Sequence, residues 1–176
     1  MKKLFTLPTW QVFLLLIIPC FFPSMTLVGT ILTIVWAAFI AYCVYILGDC
    51  LYQKLPVGHD LKINRFRFNL FFPLVYVIIV FILFDGGYEI NQNNYKEYGW
   101  SLFIIIPLHL YAMYCMFYTI WFIAKCIATV ENNRVVGFDN YAANFFLLWF
   151  FPIGIWFVHP KVRKIFSTDA ETHSVI

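Results

Sequence analysis

Of 176 residues, 62% are hydrophobic, 22% aromatic and only 12% charged, with a mean hydropathy of +0.79, where soluble domains carry roughly 25% charged residues. That composition excludes a soluble globular domain, and the apolar runs leave no polar stretch above about 20 residues in which one could fold. The net charge of +3 is too small to name a polyanionic partner, so the information lies in where the basic residues fall.

Lys2 and Lys3 precede the first apolar run, Trp10 to Phe22, as they would in a signal peptide. Pro19 and Pro23 follow and no small-x-small cleavage site does, so the N-terminus is expected to be retained. Lipidation is not indicated, since Lys2 stands where myristoylation needs glycine and no cysteine lies near the C-terminus. The run of 13 residues reaches only about 20 Å as a helix. That is short for a hydrocarbon core of about 30 Å unless the bilayer thins or Leu4 to Pro8 extend the helix.

Met25 to Leu47 follows, 23 residues without a charge. Gly29, Thr33, Ala37 and Ala41 recur at i, i+4 along it, as in a helix that packs closely on a neighbour. Phe68 to Phe84 is a minimal span of 17 residues with Pro73 in its first turns, ending at Asp85-Gly86-Gly87. Ser101 to Ala124 is flanked by Trp100 and Trp121 in the manner of an aromatic belt, and Lys125 after it can snorkel to the interface. An ion pair of Lys125 with Asp49 is expected at that face. The last run, Ala142 to Val158, is interrupted by Pro152-Ile153-Gly154. Pro152 and Gly154 are therefore the candidate helix break.

Lysine and arginine favour the cytoplasmic side of short loops, so topologies can be scored by counting them. If the first run stays in the interface and the other four cross, the twelve basic residues divide six to six; if all five cross, eight to four. If the first four cross and the last turns back, eleven lie inside and Lys96 alone outside. The expected fold is thus an all-α polytopic membrane helix bundle in one domain, residues 1–176. It has four transmembrane helices plus a Pro/Gly-broken re-entrant or interfacial C-terminal segment, five transmembrane helices being the alternative. Both termini are then cytoplasmic, and DGGYEINQNNYKEYGW forms an acidic exterior loop.

Few residues carry candidate chemistry. His109 lies near the middle of a long span, where ionisable groups are costly. It reads either as a structural histidine bonding across helices or, with Tyr111, Tyr114 and Tyr118, as part of a pore lining or interhelical polar contact. Metal binding is disfavoured, because only Met113 and Met116 stand at helical spacing from it. His59, His159 and His173 read as solvated. Lys54, Lys62, Arg65 and Arg67, with Lys161, Arg163 and Lys164, read as a basic cytoplasmic face for anionic headgroups or a protein partner; nucleic acid is disfavoured. The five cysteines, Cys20, Cys43, Cys50, Cys115 and Cys126, are odd in number and sit in or beside apolar runs, so no disulfide framework is expected. No phosphate loop, metalloprotease or nucleophile-elbow motif occurs, and no span holds a carboxylate. No cofactor is expected, and an enzyme on lipid or prenyl substrates ranks third among the readings.

The patterns TWQVFLLLIIP, IIPLHLYAMYCMFYTIWFIAK and FFLLWFFPIGIWFVHPKVRKIF resemble a group of small multi-span membrane proteins common in bacteria of the Bacteroidota type. The resemblance runs along most of the chain and is most specific at WFFPIGIWF-x-x-P-K/R. It implies a shared fold and a bacterial cytoplasmic (inner) membrane location, and no activity. The group often carries Gln where His159 stands and Glu where Asn144 stands, which weakens a catalytic role for either. The expectation is a non-enzymatic membrane protein that acts through helix packing and a basic cytoplasmic face, for instance as an accessory or effector subunit of a defence or stress system. The alternative is a homo-oligomeric pore or small transporter lined in part by His109.

Overall fold

The computed structural model describes residues 7–17, 27–83 and 95–172. These form six helices and, among the described residues, no strand: α1 Thr9–Ile17, α2 Leu27–Tyr52, α3 Ile63–Leu83, α4 Tyr95–Asn132, α5 Phe138–Trp149 and α6 Phe151–Thr172. Three segments are long and apolar enough to cross a membrane: Ile31–Tyr52, Ile63–Val80 and Phe103–Asn132, of 22, 18 and 30 residues. Large apolar side chains stand exposed along them, among them Val35 at 61%, Val77 at 57% and Phe103 at 84%. A water-soluble protein does not tolerate such continuous apolar surface, whereas lipid solvates it.

Among the described residues the first apolar run is helical over Thr9–Ile17 in α1, about 14 Å of helix, and that stretch is not among the three described segments long enough to cross. Pro19, Pro23, Lys2, Lys3, Cys20 and His173 lie outside the described residues, as does most of the acidic loop. Its last residues are not loop, because α4 already begins at Tyr95. At the other end α4 runs past Ala124 to Asn132, because Cys126, Ile127, Ala128 and Thr129 are all buried and reward continued winding. Asn133 stops it with a positive φ of 47°, a conformation asparagine tolerates better than most residues.

The chain falls into two compact units, residues 64–119 and the remainder. In the first, the α3 and α4 portions face each other through Phe72 and Tyr111, edge to face at 4.8 Å, and through Tyr76 and His109. Asn69 and Pro73 share the α3 register, and the Asn69 amide bonds the Arg65 carbonyl one turn back at 2.7 Å.

The second unit gathers α1, α2, the last turns of α4, α5 and α6. Its core is Leu51, Leu61, Phe122, Ile127, Val136, Val158, Val162 and Phe166, all buried. Trp36 of α2 donates its indole N–H to the Leu15 carbonyl of α1 at 3.0 Å, and Phe13 packs on Trp156 at 5.6 Å.

The last apolar run is a helical hairpin, and the break expected at Pro152 and Gly154 lies instead at Phe150 (φ −86°, ψ 51°). Pro152 acts two residues upstream of itself. A continuous helix would need its missing N–H to bond the Leu148 carbonyl, and its ring would press on that turn. The helix therefore ends before the proline, and Pro152 sits in the first turn of α6, where no donor is required. Gly154 is not a break at all: it is helical and buried, and a Cβ there would overlap the Leu147 carbonyl. With Lys161 on Asn144 farther along, residue pairs 147/154 and 144/161 fix α5 and α6 as antiparallel neighbours.

Candidate functional site

The polar side chains that the fold buries concentrate in the second unit. Asn144 is 2% exposed on α5, and its amide oxygen accepts a hydrogen bond from Lys161 Nζ at 2.9 Å. Glu131, at the end of α4, approaches the same ammonium at 3.8 Å. Lys161 thus joins three helices, as acceptors on α4 and α5 converge on one cation of α6. A lone lysine in an apolar hairpin would be expensive; satisfied by a buried amide and a carboxylate, it becomes a tie.

His159 is buried at 6% rather than solvated, and its Nδ1 shares a hydrogen bond of 3.1 Å with the Thr9 hydroxyl of α1. Its Nε2 is buried without a partner among the described residues. Burial holds its pKa below the ordinary imidazole range, and Arg163 one turn on acts in the same direction. Sequence reasoning missed this residue because the contact spans 150 positions and nothing local distinguishes a histidine at a helix edge from a solvated one. His59 is half-buried against the Tyr52 ring at 4.9 Å, again not simply solvated.

Lys125 does not snorkel. It is 8% exposed, and its partner is Asp60 rather than Asp49, with both carboxylate oxygens at 2.8 Å. The Trp121 ring lies 5.3 Å from the ammonium and donates its own N–H to the Tyr141 hydroxyl at 3.1 Å. The Lys125 hydrogen bonds hold the Asp60 carboxyl below its usual range against the opposing effect of burial.

Of the basic candidates, Lys54 lies along α6, with Nζ 3.3 Å from the Ile165 carbonyl and 5.3 Å from the Phe166 ring centroid. Lys62, Arg65, Arg163 and Lys164 are exposed and Arg67 is half-buried. His109 and the tyrosines divide between two faces of α4. Tyr111, Tyr114 and Tyr118 form a ladder with ring centroids 5.9 and 6.2 Å apart. At about 100° per residue they stand roughly 140–200° around the helix from His109. His109 turns instead to Tyr76, whose hydroxyl lies 3.4 Å from Nδ1. His109 and Tyr111 both meet α3, through Tyr76 and Phe72 one turn apart. Cys43, Cys50, Cys115 and Cys126 are free thiols.

The fold defines the class: among the described residues it is all-helical, with three helices long and apolar enough to span a membrane. The chain matches no family model, no curated protein and no solved structure.

Proposed function

We propose that this is a non-enzymatic integral protein of a bacterial cytoplasmic membrane, with both ends cytoplasmic. The chain crosses four times, through α1 and the residues leading to α2, then α2, α3 and α4. The α5–α6 hairpin enters the cytoplasmic leaflet and returns. The observation that carries this reading is the direction of three helices in the second unit: Thr9, at the start of α1, bonds His159, and six residues farther toward the C-terminal end of α6 Lys54, just past α2, bonds the Ile165 carbonyl. An α1 that enters from the side where α2 and α6 end puts Lys2 and Lys3 with Lys54, Lys161, Arg163 and Lys164, the arrangement that leaves Lys96 as the one basic residue outside. The helix lengths support it too, since the 12 residues of α5 cover about 18 Å, enough for one leaflet and not two.

The protein acts through helix packing. It presents the basic residues of the α2–α3 connection and of α6 to anionic headgroups and to a soluble partner, as an accessory or effector subunit of a defence or stress system. Changing Lys62, Arg65 and Arg67 to Ser is expected to abolish co-purification of that partner from mild detergent; a chain recovered alone before any substitution refutes the partner. A homo-oligomer packed through α4 is the second reading, favoured by Tyr114, which is 52% exposed within a span.

A further inference from the structure

The outward face of α6 changes chemistry along its length. Ile153, Trp156 and Phe157 are 68%, 48% and 58% exposed near the hairpin turn, and Arg163 and Lys164 are exposed two turns farther on. Spacings of three, four and seven residues put all five on one stripe. The opposite face, with Gly154, Val158, His159, Val162 and Phe166, is buried. Lys54 also reaches this end of α6, but its ammonium lies against the Ile165 carbonyl and the ring of the buried Phe166 and is not part of the stripe. Lys161 is set apart from this group, because Asn144 and Glu131 hold it on the hairpin's inner side.

We infer that this stripe is a binding site for one anionic phospholipid, with its phosphate at Arg163 and Lys164 and an acyl chain along Phe157, Trp156 and Ile153. Charge complementarity selects the occupant. A soluble phosphate has no use for the aromatic half of the stripe, and a zwitterionic lipid offers no net charge to two adjacent exposed cations. The dimensions agree: Trp156 to Arg163 covers about 10 Å of helix, and Arg163 to the turn at Phe150 about 20 Å. With the cations at the phosphate level, the turn lies close to the midplane of a bilayer whose hydrocarbon half-thickness is about 15 Å. The site rests on the proposed entry of the hairpin into one leaflet, and it adds a headgroup preference that entry alone does not require.

Trp156 reports on the site. Its emission is isolated as the difference between the full chain and Trp156→Phe, in nanodiscs of phosphatidylcholine containing brominated-chain phosphatidylglycerol or, at equal mole fraction, brominated-chain phosphatidylcholine. The expected result is preferential quenching by phosphatidylglycerol, weakened about fivefold in Arg163→Gln and again in Lys164→Gln. Arg134→Gln, a cation of the α4–α5 connection, should leave the preference unchanged. Equal quenching by both lipids, or equal loss in Arg134→Gln, overturns the site while leaving the hairpin in the bilayer. Quenching by neither lipid overturns the leaflet insertion itself. Removal of the preference by excess glycerol phosphate overturns the lipid and marks a soluble phosphate as the ligand.

Discussion

Lys125 and His159 share a physical situation: each is a titratable group that the second unit buries and supplies with one partner from a remote segment. For Lys125 the partner is Asp60, whose side chain is itself 65% open to solvent. Asp60→Asn strands a buried ammonium, and the expected cost is about 1–3 kcal/mol, less than a fully buried pair would lose because water already screens the carboxylate. Thermal unfolding in detergent measures it, and Lys125→Met, which removes the charge with the partner, should cost less. The Asp60 pKa is depressed in the folded chain, so its contribution is complete above the ordinary carboxylate pKa of about 4 and is lost as pH falls through the lower folded value. His159 behaves with the same sign at a higher window. Its folded pKa is depressed, so the unfolded chain takes up a proton near pH 6.5 before the folded one does. The stability it supplies is whole above that pH and declines below it. His159→Gln keeps a hydrogen-bonding group for Thr9 and does not titrate. Between pH 7.5 and 5.5 the unchanged chain should lose melting temperature relative to this variant, and parallel curves would refute the assignment.

Among the elements, the α5–α6 hairpin depends most on single positions. Gly154→Ala drives a Cβ into the Leu147 backbone, which has no side-chain end to swing aside. The hairpin must open, at about 1–3 kcal/mol by the usual scale of overpacking, and Gly137→Ala, where nothing lies within 4 Å of the added atom, is the control. The difference in melting temperature between the two variants is the measurement. These elements also mark what could be read from residues alone. Helical class and the three long spans were legible, because runs of 17 to 24 apolar residues admit little else in a bilayer. Ends were harder. The fourth run was expected to stop at Lys125, since a lysine after an apolar run normally marks the interface; the helix continues because the residues after it are buried and the remote Asp60 partners the lysine. Pro152 correctly announced a break but not its place, because proline disrupts the turn before it. The tie of Lys161 to Asn144 was illegible in a different way: it needs the hairpin closed before the two residues are neighbours. The mid-span His109 was visible and so were the tyrosines, but the α3 rings that His109 and Tyr111 meet, Tyr76 and Phe72, were not.

At the scale of the whole molecule the question is how many times the chain crosses, and the charges of α6 decide between two topologies that share every helix. If α5 and α6 together form a fifth crossing, Lys161, Arg163 and Lys164 lie outside and the basic residues divide eight to four; if the hairpin returns, they divide eleven to one. The second bias is strong enough to survive removal of all three, because eight cations would still oppose Lys96. A cysteine placed at Thr172 reports the side directly. In intact cells a membrane-impermeant maleimide should label Thr172→Cys no more than the unsubstituted chain, and lysis should expose it. Adding Lys161→Gln, Arg163→Gln and Lys164→Gln should leave that pattern as it was, since the orientation does not rest on those three residues. Labelling of Thr172→Cys from outside in either background would mean that the segment crosses, and α5 and α6 would then have to give up the antiparallel pairing that sets Gly154 on Leu147 and Lys161 on Asn144. That requirement is what makes the returning hairpin the simpler structure: α5 and α6 satisfy each other along their inner face, and turn toward lipid apolar side chains such as Ile153, Trp156 and Phe157 that lipid can solvate.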